Sequence, residues 1–131
     1  MEEKRILIID DDFAVRSLLR IRLENNGFVV MTAQNGWEGL TTLAHEEVHV
    51  VLLDYQMPGI DGLTVLNFMQ QFFPAVPVVM MSGSGDELAP QALRAGAQAC
   101  LSKPFQRGEL DEALQSCVET ARSASSLIAA H

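Results

Sequence analysis

The chain has 131 residues, of which 48% are hydrophobic and 20% charged, a composition typical of one folded domain and not of a disordered segment. Its formal net charge is −8, from 17 Asp and Glu against nine Lys and Arg, so no basic patch is expected that could neutralise the phosphates of a nucleic acid. No apolar run approaches the ~20 residues of a membrane span, and no secretory signal opens the sequence; we therefore expect a cytoplasmic domain that binds neither membrane nor, directly, nucleic acid.

Five short apolar runs recur along the chain and predict five strands. They occupy residues 6–9, 28–32, 48–53, 76–81 and 97–101. The first, third and fourth runs are apolar nearly throughout, which is typical of strands buried on both faces of a parallel sheet. The fifth run is the weakest, because Gln98 and Cys100 dilute it.

Between and after these runs, apolar residues recur at helical spacing. The pattern predicts helices at residues 14–25, 37–46, 63–73, 87–95 and 109–121. Asn26-Gly27 ends the first helix, Pro74 the third and Gly96 the fourth. Strict alternation of strand and helix predicts an α/β fold, one doubly wound (βα)5 domain with a five-stranded parallel sheet and helices on both faces. We assign this domain to residues 4–121 and expect a frayed helical extension at 122–131.

Polar residues follow four of the five runs, at the sheet edge where ligands bind in such folds. They are Asp10 to Asp12, Asp54, Ser82 and Lys103. Several carboxylates in one cleft repel one another unless a cation intervenes, and Mg²⁺ favours a few carboxylates together with water and phosphate oxygens. The pattern indicates a Mg²⁺ site for phosphoryl transfer, with Asp54 as a carboxylate nucleophile and Lys103 as a point charge for phosphoryl oxygens.

Four motifs occur in order, each at the end of a predicted strand. They are Ile-Ile-Asp-Asp-Asp, Leu-Leu-Asp-x-x-Met-Pro-Gly-x-Asp-Gly, Met-Met-Ser-Gly and Lys-Pro-Phe. In these motifs the sequence resembles the receiver domains of two-component response regulators, from about residue 4 to about residue 121. The resemblance implies a flavodoxin-like sheet of order 2-1-3-4-5. It also implies a phosphorelay signalling module that is no enzyme, beyond catalysing its own phosphorylation and dephosphorylation.

The resemblance also implies a role for each residue at the sheet edge. Asp54 is the expected phosphoacceptor, and Ser82 and Lys103 are expected to bind phosphoryl oxygens. The expected Mg²⁺ ligands are Asp11, Asp54, the backbone carbonyl of Gln56 and, through water, Asp10. The Lys103-Pro104 peptide bond is expected to be cis.

The implied partners are a phosphodonor and a target. The donor would be a sensor histidine kinase, a phosphotransfer protein or a small acyl phosphate. Phosphorylation would shift the Ser82 loop and the following helix between two arrangements. The target, or a second copy of the chain, would bind the face of the fourth helix, fifth strand and fifth helix.

Two features depart from the family pattern. Receivers usually carry Tyr or Phe three residues before the lysine, a ring that turns inward on phosphorylation, and this chain has Cys100 there. The loop at residues 82–85 contains two glycines and is followed by Pro90, which a helix accepts only in its first turn. We therefore predict a short, late-starting fourth helix preceded by a mobile segment.

Several residues have structural interpretations beside functional ones. Asp12 and Asp61 are expected to serve helix starts and turns rather than to bind metal. Gln56 and Ser84 either shape water access to the phosphoryl group or are plain loop positions. The two cysteines, Cys100 and Cys117, are expected to be reduced and buried.

The sequence bears on four alternative functions and favours only the first of them. Cys100 favours a receiver-like module that binds partners without phosphorylation. An aspartate-nucleophile phosphatase usually has a second acid two residues after its nucleophile, where this chain has Gln56. Flavin binding is disfavoured because acids at the strand ends would repel its phosphate. Residues 45–49 match the zinc motif H-E-x-x-H, but His49 falls in the predicted third strand while His45 closes a helix.

Overall fold

The computed structural model describes residues 3–83 and 88–129. The strands are β1 (Lys4–Ile9), β2 (Phe28–Ala33), β3 (Val50–Asp54), β4 (Val78–Ser82) and β5 (Ala99–Ser102). The helices are α1 (Phe13–Asn25), α2 (Gly36–His45), α3 (Gly62–Phe72), α4 (Leu88–Arg94) and α5 (Arg107–Ala129). Among the described residues, no helix combines the length and apolar character needed to span a bilayer.

All five strands pair in parallel, in the order β2-β1-β3-β4-β5. The predicted α/β fold, a five-stranded parallel sheet of order 2-1-3-4-5, is therefore confirmed. The carboxyl ends of all strands lie at one edge of the sheet, as they must when every strand runs in the same direction.

A buried apolar cluster lies on each face of the sheet, and β1 contributes side chains to both clusters. Successive side chains of a strand point to opposite faces. Ile6 and Ile8 accordingly join one buried cluster, and Leu7 and Ile9 join the other. Each residue of β3 and β4 is buried, which explains why the sequence runs of the central strands are apolar without alternation.

Short polar residues fix the starts of three helices. Asp12, Asn35 and Asp61 are the N-caps of α1, α2 and α3, and the side chain of each accepts hydrogen bonds from backbone N–H groups of the first turn. Asn26 is the C-cap of α1, and Gly27 follows at φ +91°, a conformation that glycine adopts without strain. The structural roles predicted for Asp12 and Asp61 are confirmed.

Other sequence expectations differ from the structure in detail. β3 begins at Val50, so His49 lies just before the strand and not within it. Cys117 is buried as expected, but the expectation for Cys100 is wrong: it is half-buried, because β5 is an edge strand with only partly covered faces. Helix α5 is continuous through Ala129, so it includes most of the segment that we assigned to a helical extension at 122–131.

The described part of α4 is seven residues long, and Pro90 is its third residue. Proline is tolerated there, since the N–H groups of the first turn have no partner within the helix. The loop that we expect to be mobile begins at Ser82, and its residues 84 and 85 lie outside the described residues.

Candidate functional site

The strand register brings the predicted site residues to the same level at one edge of the sheet. Ile9 of β1 is opposite Leu53 of β3, so the next residues in the two strands, Asp10 and Asp54, are neighbours. On the other side of β3, Asp54 is opposite Met81, which places Ser82 one residue further along β4.

Asp10 is fully buried and is held by four polar contacts. Its N–H donates to the carbonyl oxygen of Ala33 at 3.1 Å, which continues the pairing of β1 with β2. Its Oδ1 accepts from the Asp12 N–H at 2.9 Å, and its Oδ2 accepts from Lys103 Nζ at 2.8 Å. Its carbonyl oxygen accepts from Arg16 Nη1 at 2.7 Å. Both carboxylate oxygens of Asp10 are therefore engaged by the protein.

Asp54 ends β3, and only 5% of its surface is exposed. Its Oδ1 accepts a hydrogen bond from Lys103 Nζ at 3.2 Å. Burial raises the pKa of Asp54 to about 6, the negative charge of Asp10 adds to that increase, and Lys103 offsets part of it. The carboxylate is thus ionised at neutral pH, but in an environment that favours its neutral form.

Lys103 extends from the end of β5 toward the other side of the site. Its ammonium group reaches Asp54, whose strand lies two positions away, and Asp10, which follows β1 three positions away. Burial alone would lower the pKa of Lys103, but the hydrogen bond to Asp10 and the charges of both carboxylates raise it overall. The Lys103-Pro104 peptide bond is cis, as predicted.

Asp10, Asp11 and Asp54 form a cluster of three carboxylates. Each offers one oxygen, and these oxygens lie within 4.8 Å of one another. Asp11 is exposed, so the cluster opens to solvent on its side. Carboxylate oxygens are the ligands that Mg²⁺ prefers. Burial, and after it the negative charges of Asp10 and Asp11, raise the pKa of Asp54 against the opposing effect of Lys103. The donor set fits a hard divalent cation; we call it the acidic cluster.

Two of the remaining predicted residues lie at the ends of the central strands, Ser82 as the last residue of β4 and Gln56 two residues after β3. Ser82 ends β4, is almost fully buried, and its carbonyl oxygen accepts from the Lys103 N–H at 2.7 Å. Gln56 is exposed, and its Oε1 lies 3.7 Å from where a Cβ on Gly83 would stand. Its side chain therefore lies beside the start of the loop after β4. Ser84, the other residue considered for water access, is outside the described part of the chain.

Gly62, the first residue of α3, allows the helix to pack closely against the end of β3 that carries Asp54. A Cβ at this position would lie 2.5 Å from the carbonyl oxygen of Asp54 and 2.8 Å from Cα of Tyr55. The Gly62 N–H also donates to the Tyr55 carbonyl oxygen at 2.8 Å. The start of α3 can approach the end of β3 this closely because residue 62 has no side chain.

Sequence reasoning missed Arg16. Its guanidinium contacts the backbone of Asp10. From the sequence alone, an arginine on α1 is expected to extend into solvent. The only signal in the sequence is its position one turn after Asp12, the residue that caps the helix.

The two histidines of the H-E-x-x-H match have separate surroundings. His45, the last residue of α2, contacts the carbonyl oxygen of Thr41 through Nδ1 at 2.9 Å. Nδ1 of His49 accepts from the backbone N–H of Arg5 at 2.9 Å. Within residues 3–83 and 88–129, the acidic cluster is the one group of three possible metal-binding side chains, and it includes neither histidine.

Comparison with known proteins gives consistent matches. The family model described as response regulator receiver domain matches residues 6–115. The DNA-binding transcriptional regulator NtrC of Escherichia coli K12 is 37% identical over 115 residues, which cover 87% of this chain and 24% of that protein. The chain thus spans about a quarter of the length of the curated relatives it matches.

Solved structures agree with these matches. NtrX from Brucella abortus in complex with ADP superposes with a TM-score of 0.92 at 29% identity, over 99% of this chain and 30% of that one. The response regulator TrrA from Thermotoga maritima, in complex with Mg²⁺-BeF, superposes with a TM-score of 0.80 at 30% identity, over 87% of this chain and 98% of that one.

Proposed function

We propose, since the chain belongs to the family of response regulator receiver domains, that it accepts a phosphoryl group on Asp54 in a Mg²⁺-dependent reaction. The observation that carries this proposal is the placement of Asp54. Its carboxylate is nearly buried, lies 3.2 Å from the Lys103 ammonium, and shares the acidic cluster with Asp10 and Asp11. The similar protein TrrA was solved in complex with Mg²⁺-BeF, which supports Mg²⁺ as the ion in this proposal.

The acidic cluster supplies the metal ligands in this proposal. Asp11 and Asp54 would bind Mg²⁺ directly, together with the backbone carbonyl of Gln56. Asp10 would act through water, because Asp12 and Lys103 already engage both of its carboxylate oxygens. Bound there, Mg²⁺ offsets negative charge on the carboxylates and on the phosphoryl oxygens.

The protein's own groups then position and stabilise the transfer. A carboxylate oxygen of Asp54 attacks the phosphorus atom, the bond from phosphorus to the donor breaks, and the donor leaves with that electron pair. The product on Asp54 is an acyl phosphate. Lys103, whose ammonium now donates to the Asp54 carboxylate, would exchange that hydrogen bond for one with a phosphoryl oxygen. The hydroxyl of Ser82, at the end of the neighbouring strand, would donate to another oxygen.

The signal would leave the site through the segment after β4. A phosphoryl group that binds the Ser82 hydroxyl favours one arrangement of this loop and of α4 over another. A change from mostly one arrangement to mostly the other needs ~3–5 kcal/mol of differential interaction. The face formed by α4, β5 and α5 would present the result to a target protein or to a second copy of the chain.

The biological setting follows from the family. The phosphodonor would be a sensor histidine kinase, a phosphotransfer protein or a small acyl phosphate, and the domain would act in the cytoplasm. The domain itself would contact no DNA, in keeping with its net charge of −8, whatever domains accompany it. It would turn over no external substrate and act only on its own phosphorylation state.

The test is incubation with Mg²⁺ and a small acyl phosphate, followed by intact-mass measurement. The wild type should gain one phosphoryl group, and should gain none when EDTA replaces Mg²⁺. Asp54→Asn should gain none under either condition, whereas Glu112→Gln, which changes an exposed acid on α5, should behave as the wild type. Equal modification of Asp54→Asn would refute the assignment.

One observation favours a second candidate, an interaction module that works without phosphorylation. Cys100, opposite Met80 in the pairing of β4 with β5, cannot supply the ring that usually couples the site to the α4–β5–α5 face. If wild-type protein gains no phosphoryl group from any competent donor, this candidate replaces the first.

A further inference from the structure

Arg16 folds back from α1 onto the end of β1. Its backbone N–H donates to the Asp12 carbonyl oxygen at 3.0 Å, so it lies in the first turn of the helix. Its side chain does not extend into solvent: Nη1 donates to the Asp10 carbonyl oxygen at 2.7 Å, and the residue is half-buried. A hydrogen bond this short from a charged donor belongs to the stronger class.

The Asp10 carbonyl belongs to the peptide bond that leads into Asp11. Because a peptide unit is planar, a bond to its oxygen also fixes the direction of the following N–H and of the Asp11 Cα. The carboxylate of Asp10 has its own anchors in Asp12 and Lys103. Asp11 is exposed, and its backbone sets the direction of the Cα–Cβ bond from which its carboxylate reaches the acidic cluster.

A second contact holds the Arg16 side chain. The guanidinium carbon lies 5.7 Å from the centroid of the Phe13 ring, within the range of a cation–π interaction. Phe13 is 74% exposed, so burial does not explain its place at the start of α1. The ring and the Asp10 carbonyl together restrict the conformations open to the guanidinium.

We propose that Arg16 is a positioning residue that sets the Mg²⁺ affinity of the acidic cluster by fixing the peptide plane between Asp10 and Asp11. The proposal rests on the metal site of the proposed function. It gives Arg16 no direct contact with the metal.

The direction in which the Mg²⁺ affinity changes distinguishes a positioning role of Arg16 from a purely electrostatic one. Arg16 is a cation near an acidic cluster, so its charge alone repels Mg²⁺, and removing that charge should tighten binding. Loss of a group that orients a metal ligand has the opposite effect and typically weakens binding about 10-fold or more. Weaker binding after removal of a positive charge would therefore identify positioning.

The experiment is calorimetric titration of the purified chain with Mg²⁺ at pH 7.5. Arg16→Met keeps a long side chain but has no donor, and it should bind Mg²⁺ ~10-fold more weakly than the wild type. Arg20→Met is the matched control, because Arg20 lies one turn further along α1 and bonds to Val30 and Glu24 instead. It should bind Mg²⁺ as tightly as the wild type or slightly more tightly.

Arg16→Lys tests whether the donor matters. Lysine restores one donor without the planar fork of arginine, so this variant should have intermediate affinity. Urea unfolding in EDTA shows whether each variant is folded, and Arg16→Leu, which also lacks a donor, replaces Arg16→Met if that variant is not. Unchanged or tighter binding by folded Arg16→Met, or by Arg16→Leu in its place, would overturn the inference and leave the metal site intact. Failure of the wild type to bind Mg²⁺ would instead remove the metal site and this inference with it.

Discussion

Replacing Asp54 by asparagine should stabilise the metal-free protein at neutral pH. Burial, together with the charge of Asp10, raises the pKa of Asp54 from 3.8 to about 6. The ionised carboxylate is therefore less stable in the folded chain than in the unfolded one. One pKa unit corresponds to ~1.4 kcal/mol, so a shift of this size costs ~3 kcal/mol at neutral pH. Asparagine has nearly the same shape and no charge, and we expect most of this cost to disappear.

The pH dependence of this effect has a definite sign. A folded-state pKa above the unfolded value means that Asp54 favours folding fully below pH ~4, where it is protonated in both states. That contribution is lost as the pH rises through the folded pKa of about 6. The difference in free energy of unfolding between Asp54→Asn and wild type should therefore be small near pH 4, grow between pH 4 and 6, and level off above pH 7.

Urea unfolding in EDTA, followed by circular dichroism from pH 4 to 8, measures this difference. Glu112→Gln is the matched control, because it removes a carboxylate that is exposed on α5, and its effect should be within ~0.5 kcal/mol. Adding Mg²⁺ should stabilise the wild type by mass action and should have less effect on Asp54→Asn. An Asp54→Asn variant that is less stable than wild type at pH 7.5, or whose advantage does not change with pH, would refute this reasoning.

Three further predictions concern neighbouring groups. Gly62→Ala should lower the free energy of unfolding by ~1–3 kcal/mol, because its Cβ would lie 2.5 Å from a backbone oxygen of β3. In the same urea assay, Gly108→Ala on α5, where nothing lies within 4 Å of the added Cβ, should have no such cost. Equal losses in the two variants would refute the role of the close approach between α3 and β3. Lys103→Met should destabilise the chain by ~3 kcal/mol or more in thermal and urea unfolding, because it leaves the buried Asp10 carboxylate without its cation; an unchanged midpoint would mean that the ion pair adds nothing. Burial raises the pKa of the Cys117 thiol to about 11, so an alkylating reagent at pH 8 should label Cys117 only after unfolding, and labelling of the native protein would show that the site opens.

Sequence patterns predicted the fold because its central strands leave little ambiguity. All residues of β3 and β4 are buried, and a helical segment of that composition would need a polar face that these runs do not contain. The ends of the elements were less predictable. β5 lies at the sheet edge and is only partly covered, so its pattern was weak and the burial of Cys100 was overestimated. His49 was included in the third strand because it stands between Val48 and Val50 in the apolar run, but it lies just before β3, where its Nδ1 accepts from the backbone N–H of Arg5 in β1.

The site was predictable to the extent that it depends on strand ends. Parallel strands had to bring Asp10, Asp54 and Lys103 to one edge. Their pairing was not visible in the sequence, because the partners are 93 and 49 residues apart and depend on the side-chain conformation of Lys103. The contact of Arg16 with the Asp10 carbonyl likewise depends on a rotamer, which no periodic pattern encodes.

Peptide mapping of the phosphorylated protein tests the role assigned to Asp54. The chain is incubated with Mg²⁺ and a small acyl phosphate, digested under acidic conditions, and each peptide is weighed. One phosphoryl group should be found on the peptide that contains Asp54, and none on peptides that contain Asp10 and Asp11 or Ser82. A phosphoryl group on Ser82 or on Asp11, with an unmodified Asp54 peptide, would show that the nucleophile has been assigned to the wrong residue.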